Sequence, residues 1–310
     1  MIKRFGVIDL GSNTFHLLIV DQTEGSRFNT VFRKRIFTSL SEGGIDFIKA
    51  ERIETGLNAL KEFKEYINQH QCTHTKVVGT AALRTASNRM DFIDKAEDIL
   101  GINIEIIDGS REAEYIFQGI TLSPEVNAGT HLVMDIGGGS TEFILISAGI
   151  MLFSKSYPIG VGALHEMFHK SDPISTTETE DMMAYIINKT VDLQAILQEH
   201  HPEYLTGASG SFEVLQLMSD RPEDGEAVSL IDPAAFLQLY TEIVSADESE
   251  RQKMKGLPKE RVKLIVVGMI LKRVIFGLVR PKGIYVSPFA LKEGIIREMI
   301  TNAPNGATIE

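Results

Sequence analysis

The segment GVIDLGSNTFHLLIV, residues 6–20, contains two apolar runs separated by a short polar bend. Each run has the length of a buried strand, and the bend has too few residues for a crossover helix, so the segment predicts an antiparallel hairpin. The bend holds four small or polar residues: Gly11, Ser12, Asn13 and Thr14. Glycine permits positive φ and close backbone approach, and consecutive amides in such a turn bind anions. The bend is therefore a candidate phosphate site.

The same pattern returns in LVMDIGGGSTEFILI, residues 132–146, where Asp135 aligns with Asp9 and Gly137 aligns with Gly11. The second bend adds five candidate phosphate-binding residues: Gly137, Gly138, Gly139, Ser140 and Thr141. Two similar halves predict two similarly folded domains that face each other. We expect the active site in the cleft between them, where ligands commonly bind.

The sequence between the hairpins alternates between helical and strand-like patterns. Residues 51–70 have an apolar stripe at helical spacing, residues 75–80 and 102–107 read as strands, and a further helix begins near Ser110, a plausible N-cap. Strands that alternate with helices at this interval are typical of α/β units.

The aspartates of the two hairpins need an explanation of their own. A carboxylate beside phosphate oxygens is repelled unless a cation lies between them, and Mg²⁺ is usually held by one or two carboxylates together with phosphates and waters. Asp135 and Glu142 flank the second bend and are the candidate metal ligands, with Asp9 opposite them. A structural role for Asp9, as a turn residue that accepts bonds from backbone amides, stays open.

Composition and charge limit the classes of function. The formal net charge of −11 argues against non-specific nucleic-acid binding. A single cysteine, Cys72, excludes an intramolecular disulfide and favours a reducing compartment. The best candidate for a membrane segment, LIVVGMIL at 264–271, is far too short to span a bilayer. We therefore expect a cytoplasmic protein with no membrane or nucleic-acid partner. Residues 251–282 hold ten Lys/Arg and one acid, and form either a solvated helix face or a surface for a chain of phosphates.

Two other motifs suggest metal sites. LHEMFH, residues 164–169, contains the His-Glu-x-x-His pattern of zinc proteases in His165, Glu166 and His169. A catalytic zinc needs a third protein ligand, and no matching extension follows, so we interpret this motif as a coincidence. The group His70, Cys72 and His74 lacks a second ligand pair and is interpreted as a surface loop.

Taken together, the motifs resemble a known family. IDLGSNTFHLLI and MDIGGGSTEFIL are similar to the two phosphate motifs of the exopolyphosphatase/guanosine pentaphosphate phosphatase (Ppx/GppA) family, in the actin, heat-shock ATPase and sugar-kinase superfamily. GTAALRTASN (79–88) resembles its first connecting motif, GASGS (207–211) its adenosine-loop motif and SPFALKEG (287–294) its closing motif. The resemblance extends from about residue 5 to residue 300, in the family's order. At the closing motif this chain has Ala290 and Lys292 where the family usually has Gly and Arg.

The resemblance implies a fold and its division. It implies two ribonuclease-H-like α/β domains, each a mixed sheet flanked by helices, in the short two-domain form of the family. Domain I is predicted to comprise residues 1–123 plus about 292–310, and domain II residues 124–291.

The resemblance also implies residue roles and a reaction. Arg84 would bind phosphate oxygens and Glu112, in GSREAEYIFQG (109–119), would activate a water. The residues implied for the adenosine-like motif are Gly207, Ser209 and Gly210. The implied enzyme is a phosphoanhydride hydrolase that uses Mg²⁺, with a monovalent cation such as K⁺ left open, and acts on polyphosphate or a guanosine polyphosphate. A kinase, a non-catalytic guanosine-polyphosphate sensor and a homodimer stay open.

Overall fold

The fold is given by a computed structural model that describes residues 3–25, 27–208, 210–219 and 228–303. All structural statements below refer to these residues. Its first sheet has five strands: β1 (Arg4–Leu10), β2 (Thr14–Gln22), β3 (Phe28–Phe37), β4 (His74–Gly79) and β5 (Ile104–Ile106). Its second sheet has six: β6 (Thr130–Ile136), β7 (Thr141–Ser147), β8 (Ile150–Tyr157), β9 (Tyr204–Ala208), β10 (Ser229–Ile231) and β11 (Gly283–Val286).

The two sheets have the same arrangement. In the first, the order is β3-β2-β1-β4-β5, with antiparallel pairing on the β3 side of β1 and parallel pairing on the β4 side. In the second, β8-β7-β6-β9-β11 repeats this order and β10 is added antiparallel at the edge. The predicted hairpins and the predicted repeat of a mixed α/β sheet are confirmed.

Helices connect and cover the strands. Those of the first half are α1 (Ala50–Gln69), α2 (Ala81–Thr85), α3 (Met90–Leu100) and α4 (Gly109–Ile120). Those that follow are α5 (Val161–Phe168), α6 (Thr176–Lys189), α7 (Val191–His200), α8 (Gly210–Met218), α9 (Pro233–Ser245), α10 (Glu248–Arg251), α11 (Ile265–Val279) and α12 (Leu291–Asn302). Among the described residues, no helix combines the length and the apolar character needed to cross a membrane.

Three apolar cores hold these layers together. One lies between the first sheet and helices α1 and α3, and one between the second sheet and the helices that cover it, with α11 at its centre. The third lies between the two sheets, where α4 and α12 pack against each other and against strands of both halves. The last helix therefore packs against β1 and β2 of the first sheet, while its assignment to domain I and the domain boundary at residue 123 stay predictions.

The start of α4 differs from the prediction by two residues. The cap is Asp108, whose side chain accepts a hydrogen bond from the backbone amide of Arg111, and Ser110 lies inside the helix. Both residue types are favoured at N-caps, so the sequence alone could not rank them. The earlier cap places Glu112 in the first turn of α4, at the end of the helix nearest to the hairpin bends.

Candidate functional site

The two bends lie against a single cavity of about 160 Å³. It brings together most of the residues that the sequence singled out: Asp9, Gly11, Ser12, Asn13, Thr14, Glu112, Asp135, Gly137, Gly138, Gly139, Ser140, Glu142 and Gly210. The cavity is bordered by both halves of the chain, which is where the sequence predicted the active site.

The carbonyl groups of both bends are bonded to the protein. The carbonyls of Ser12 and Asn13 accept hydrogen bonds from the backbone of residues 38–41, and those of Gly137 and Gly138 accept from residues 161–163. In a planar trans peptide the next N–H points the opposite way from the carbonyl. The amides that follow these carbonyls therefore point away from the supporting segments, an orientation that favours anion binding.

The glycines of the bends are needed for space. None of Gly11, Gly137, Gly138 and Gly139 has a positive φ, so the conformational reason offered by the sequence is wrong for this site. A Cβ on Gly138 would instead lie 2.7 Å from Asn13 Nδ2 in the first bend. The two bends approach so closely that only a residue without a side chain fits between them.

Glu112 and Arg84 form a pair at the edge of the cavity. Arg84 Nη1 donates to Glu112 Oε2 at 3.2 Å and to the carbonyl of Ile107 at 2.7 Å. Burial raises the pKa of Glu112 to about 8, with Arg84 opposing the shift and the nearby Asp135 and Asp9 adding to it. Arg84 is not among the residues that border the cavity, so the structure shows it as a partner of Glu112 and its contact with phosphate stays a prediction.

The candidate metal ligands are buried carboxyls. Asp9 Oδ1 is buried and has no hydrogen-bond partner, and burial raises the pKa of this group to about 7. Glu142 Oε1 accepts hydrogen bonds from Ser140 Oγ at 2.8 Å and Ser156 Oγ at 2.7 Å, and burial together with Glu112 and Asp135 raises its pKa well above the usual value. Asp135 lies opposite Glu142 in the β6–β7 ladder.

These carboxyls suit a hard divalent cation. Within the described ranges, no three His, Cys, Asp or Glu side chains converge closely enough to hold a metal by themselves. Mg²⁺ needs only one or two carboxylates when phosphates and waters complete its shell. The unpartnered Asp9 oxygen and the close grouping of Asp9, Asp135 and Glu142, whose charges raise one another's pKa or that of Glu112, fit such a site.

Besides Arg84, three predicted residues lie away from the cavity or outside the described residues. Thr141 Oγ1 is buried and donates to the carbonyl of Ile159 at 3.0 Å. Gly207 lies in β9, where a Cβ would be 1.9 Å from the Phe212 ring, so it serves the packing of α8. Ser209 is outside the described residues.

Several polar cavity residues were not predicted as site residues, among them His16, Ser211, Arg261 and Lys292. His16 faces Asp9 across the β1–β2 ladder, the position that Glu142 occupies opposite Asp135. The repeat could have identified it, because the alignment that pairs the two aspartates also pairs His16 with Glu142. Arg261 belongs to the basic run at 251–282, which therefore contributes at least one cation to the site.

The two other metal motifs lack ligand sets. The rings of His165 and His169 are 5.0 Å apart, but no third ligand joins them in the described part of the chain. His74 stacks on Phe5 and His70 lies against Phe32. Burial raises the pKa of the Cys72 thiol to about 11.

Comparison with known proteins identifies the family. The profile of the Ppx/GppA phosphatase family matches residues 18–303. The chain belongs to this family. A Ppx/GppA relative, the guanosine-5'-triphosphate,3'-diphosphate pyrophosphatase of Vibrio vulnificus (strain YJ016), is 32% identical over 304 residues. The match covers 96% of this chain and 59% of the relative, so the chain spans a little over half of that protein's length.

Solved structures of the Ppx/GppA family have the same fold. An exopolyphosphatase from Cytophaga hutchinsonii superposes with a TM-score of 0.91 at 33% identity, covering 96% of this chain and 98% of that one. A family member from Aquifex aeolicus superposes with a TM-score of 0.81 at 22% identity, covering 98% of this chain and 100% of that one. The predicted two-domain, actin-like fold is thereby confirmed.

Proposed function

We propose that this chain is a phosphohydrolase that releases terminal orthophosphate from inorganic polyphosphate, the 5'-phosphate of guanosine pentaphosphate, or both. The observation that carries the proposal is the position of the Glu112 carboxyl, which borders the same cavity as the two amide-rich bends. Relatives named for exopolyphosphatase and pyrophosphatase activity support it.

Each part of the cavity has a role in this reaction. The amides of the two bends bind phosphate oxygens, and Ser12, Asn13 and Ser140 add side-chain donors. Glu112 orients the attacking water and accepts its proton, and Arg84 fixes the direction of the carboxyl. The reaction needs positioning and charge neutralisation more than covalent chemistry, which is what these groups supply.

Asp9, Asp135 and Glu142 would hold Mg²⁺. The ion, when bound, neutralises charge that develops on the transferred phosphoryl group. Ser140 and Ser156 hold Glu142 in place through their hydroxyl groups. The choice of Mg²⁺, a requirement for K⁺, a homodimer and a cytoplasmic location stay predictions.

The test is phosphate release from tripolyphosphate, long-chain polyphosphate and guanosine pentaphosphate, measured side by side with Mg²⁺. Glu112→Gln should lower turnover on the preferred substrate by about 10³-fold while phosphate binding persists. Glu114→Gln, two residues further along α4 and paired with Arg111, is the matched control and should be unchanged.

Several outcomes would decide against hydrolysis. Equal turnover by Glu112→Gln and wild type would overturn the assigned role of Glu112. Binding without phosphate release would indicate a sensor, and transfer of phosphate from ATP to an acceptor would indicate a kinase.

A further inference from the structure

A lysine is completely buried behind the wall of the cavity. Lys272 lies in α11 with no exposed surface, and its Nζ donates to Ser211 Oγ at 2.7 Å. The same ammonium lies 4.8 Å from the centre of the Phe212 ring. Ser211 is in the first turn of α8 and lines the cavity, so a single hydrogen bond connects Lys272 to the substrate side.

No carboxylate compensates this charge in the described part of the chain. Helices α5, α6, α7 and α9 and strand β9 contact α11, and α8 supplies Ser211. Among the described titratable and charged groups of these elements, none shifts the pKa of Lys272; the only charge that does is the Arg261 guanidinium, also a cation. Glu213 of α8 is paired with Arg35 instead. Buried lysines without an anionic partner are rare and costly.

The protonation state of Lys272 controls what Ser211 can offer. An ammonium group has only donors, so with charged Lys272 the Ser211 oxygen must accept, and its own O–H is free to donate elsewhere. A neutral amine has a lone pair and can accept the Ser211 proton, which removes that donor from the cavity. An oxyanion beside Ser211 therefore favours the charged lysine.

We propose that Lys272 is a positioning residue for the phosphate-binding cavity: its ammonium directs the Ser211 hydroxyl towards a bound oxyanion, and oxyanion binding is accompanied by proton uptake at Lys272. This rests on the proposed function in one respect, that the cavity binds phosphate. Burial and Arg261 lower the pKa of Lys272 to about 7, so the free protein has protons to gain near neutral pH. An anion next to Ser211 and Arg261 opposes both causes of the lowered pKa.

The linkage has a defined sign. If oxyanion binding raises the pKa of Lys272 by one unit, uptake near pH 7.5 amounts to about half a proton per site, and binding strengthens up to about tenfold as the pH falls. Asp9, His16 and Glu112 border the same cavity and also titrate. The contribution of Lys272 to proton uptake is therefore obtained as the difference between wild type and a Lys272 variant.

The experiment is calorimetric titration with sulfate, which does not itself change protonation between about pH 6 and 9. Titrations in two buffers of different ionisation enthalpy give the number of protons taken up. We expect Lys272→Met to lose about half a proton of uptake relative to wild type and to bind sulfate with a weaker pH dependence. Ser211→Ala should lose part of this uptake, because the coupling through the hydroxyl is removed while the charge of the anion still acts on the lysine. Lys189→Met, which removes an exposed lysine of α6, should match wild type.

Folding does not obscure this test, because methionine has a similar length and suits a buried site, and thermal unfolding of each variant is measured in parallel. Equal proton uptake in wild type and Lys272→Met, full uptake in Ser211→Ala, or no sulfate binding to the wild type would each overturn the inference. Proton uptake without phosphate release from tripolyphosphate would overturn the proposed function and support the role of Lys272.

Discussion

The first and second hairpins have the same backbone and opposite chemistry at one position. In both, a glycine amide closes the bend: Gly11 N donates to Thr14 O at 3.2 Å, and Gly137 N donates to Ser140 O at 2.9 Å. Opposite the aspartate, however, the first hairpin has His16, and the residue opposite His16 in the neighbouring strand β3 is Arg35. The second has Glu142, which pairs with Ser156 of β8.

This difference indicates a division of labour. At this position the first half presents an imidazole at the cavity, a group that suits phosphate oxygens. The second half presents an additional acid held by two hydroxyl groups, a group that suits a cation. Under the proposed function, the repeat would place a phosphate-binding group and a metal-binding group at equivalent positions.

The largest difference expected between the two hairpins lies at this position. Glu142→Gln should lower Mg²⁺-dependent turnover by about 100-fold and raise the Mg²⁺ concentration needed for half-maximal rate, because a proposed metal ligand is lost. His16→Gln should change KM by tenfold at most and leave the Mg²⁺ requirement unchanged. Rates measured over a series of Mg²⁺ concentrations would contradict the division if both variants shifted that requirement equally.

The second prediction concerns stability as a function of pH. Burial raises the pKa of Asp9 to about 7 and that of Glu112 to about 8, so the folded protein keeps protons that the unfolded chain releases. The free energy of unfolding without divalent cations should therefore fall by about 1–3 kcal/mol between pH 6 and 8. Denaturant titrations at a series of pH values measure this slope, and Mg²⁺ should reduce it.

The two hairpins should contribute to this slope with opposite signs. Burial raises the pKa of Glu142, so the free energy of unfolding should fall less towards high pH in Glu142→Gln than in wild type. The pKa of His16 is lowered by burial and by nearby cations, so it costs stability only below about pH 6.5, where the unfolded histidine gains a proton. His16→Gln should therefore raise the free energy of unfolding only below about pH 6.5. Parallel pH profiles for the two variants would refute the distinction.

A third prediction compares the bends themselves. A Cβ on Gly11 would lie 2.7 Å from Thr14 O, whereas a Cβ on Gly137 would lie 3.1 Å from Ser140 O. Gly11→Ala should therefore destabilise the protein by about 1 kcal/mol more than Gly137→Ala. Urea unfolding of the two variants measures the difference, and a larger loss for Gly137→Ala would show that the second bend is the tighter one.

The smallest expected effect concerns the edge strands. Arg35 of β3 pairs with Glu213 of the other half at 2.7 Å, whereas Lys155 of β8 pairs with Asp192 within its own half at 2.5 Å. Both pairs are partly exposed, so Arg35→Ala and Lys155→Ala should each cost less than about 1 kcal/mol. Arg35 lies opposite His16, which borders the cavity, so only Arg35→Ala should weaken polyphosphate binding and reduce its salt dependence. Equal binding by the two variants would show that Arg35 does not act on the substrate.

The sequence predicted the hairpins because their information is local: two apolar runs and a bend determine the pairing. It also placed both bends at one cavity, because the repeat required two similar halves. It assigned Arg84 to phosphate through resemblance alone, whereas the structure pairs Arg84 with Glu112, a contact between residues far apart in the chain. It counted Lys272 in the basic run at 251–282, interpreted as a solvated face or a surface for phosphates, and did not predict that this lysine is buried. Burial of that lysine depends on Ser211 and Phe212, which tertiary packing brings to it.

The core between the two sheets also has a consequence for synthesis. Helices α4 and α12 cross so closely that a Cβ on Gly294 would lie 1.8 Å from the carbonyl oxygen of Tyr115. Strand β1 reaches its final environment only when α12 covers it. On the ribosome, the first half must therefore wait, with part of its apolar surface uncovered, until residues 291–302 have left the exit tunnel. Nascent chains of this protein are expected to need protection from association until that point of translation.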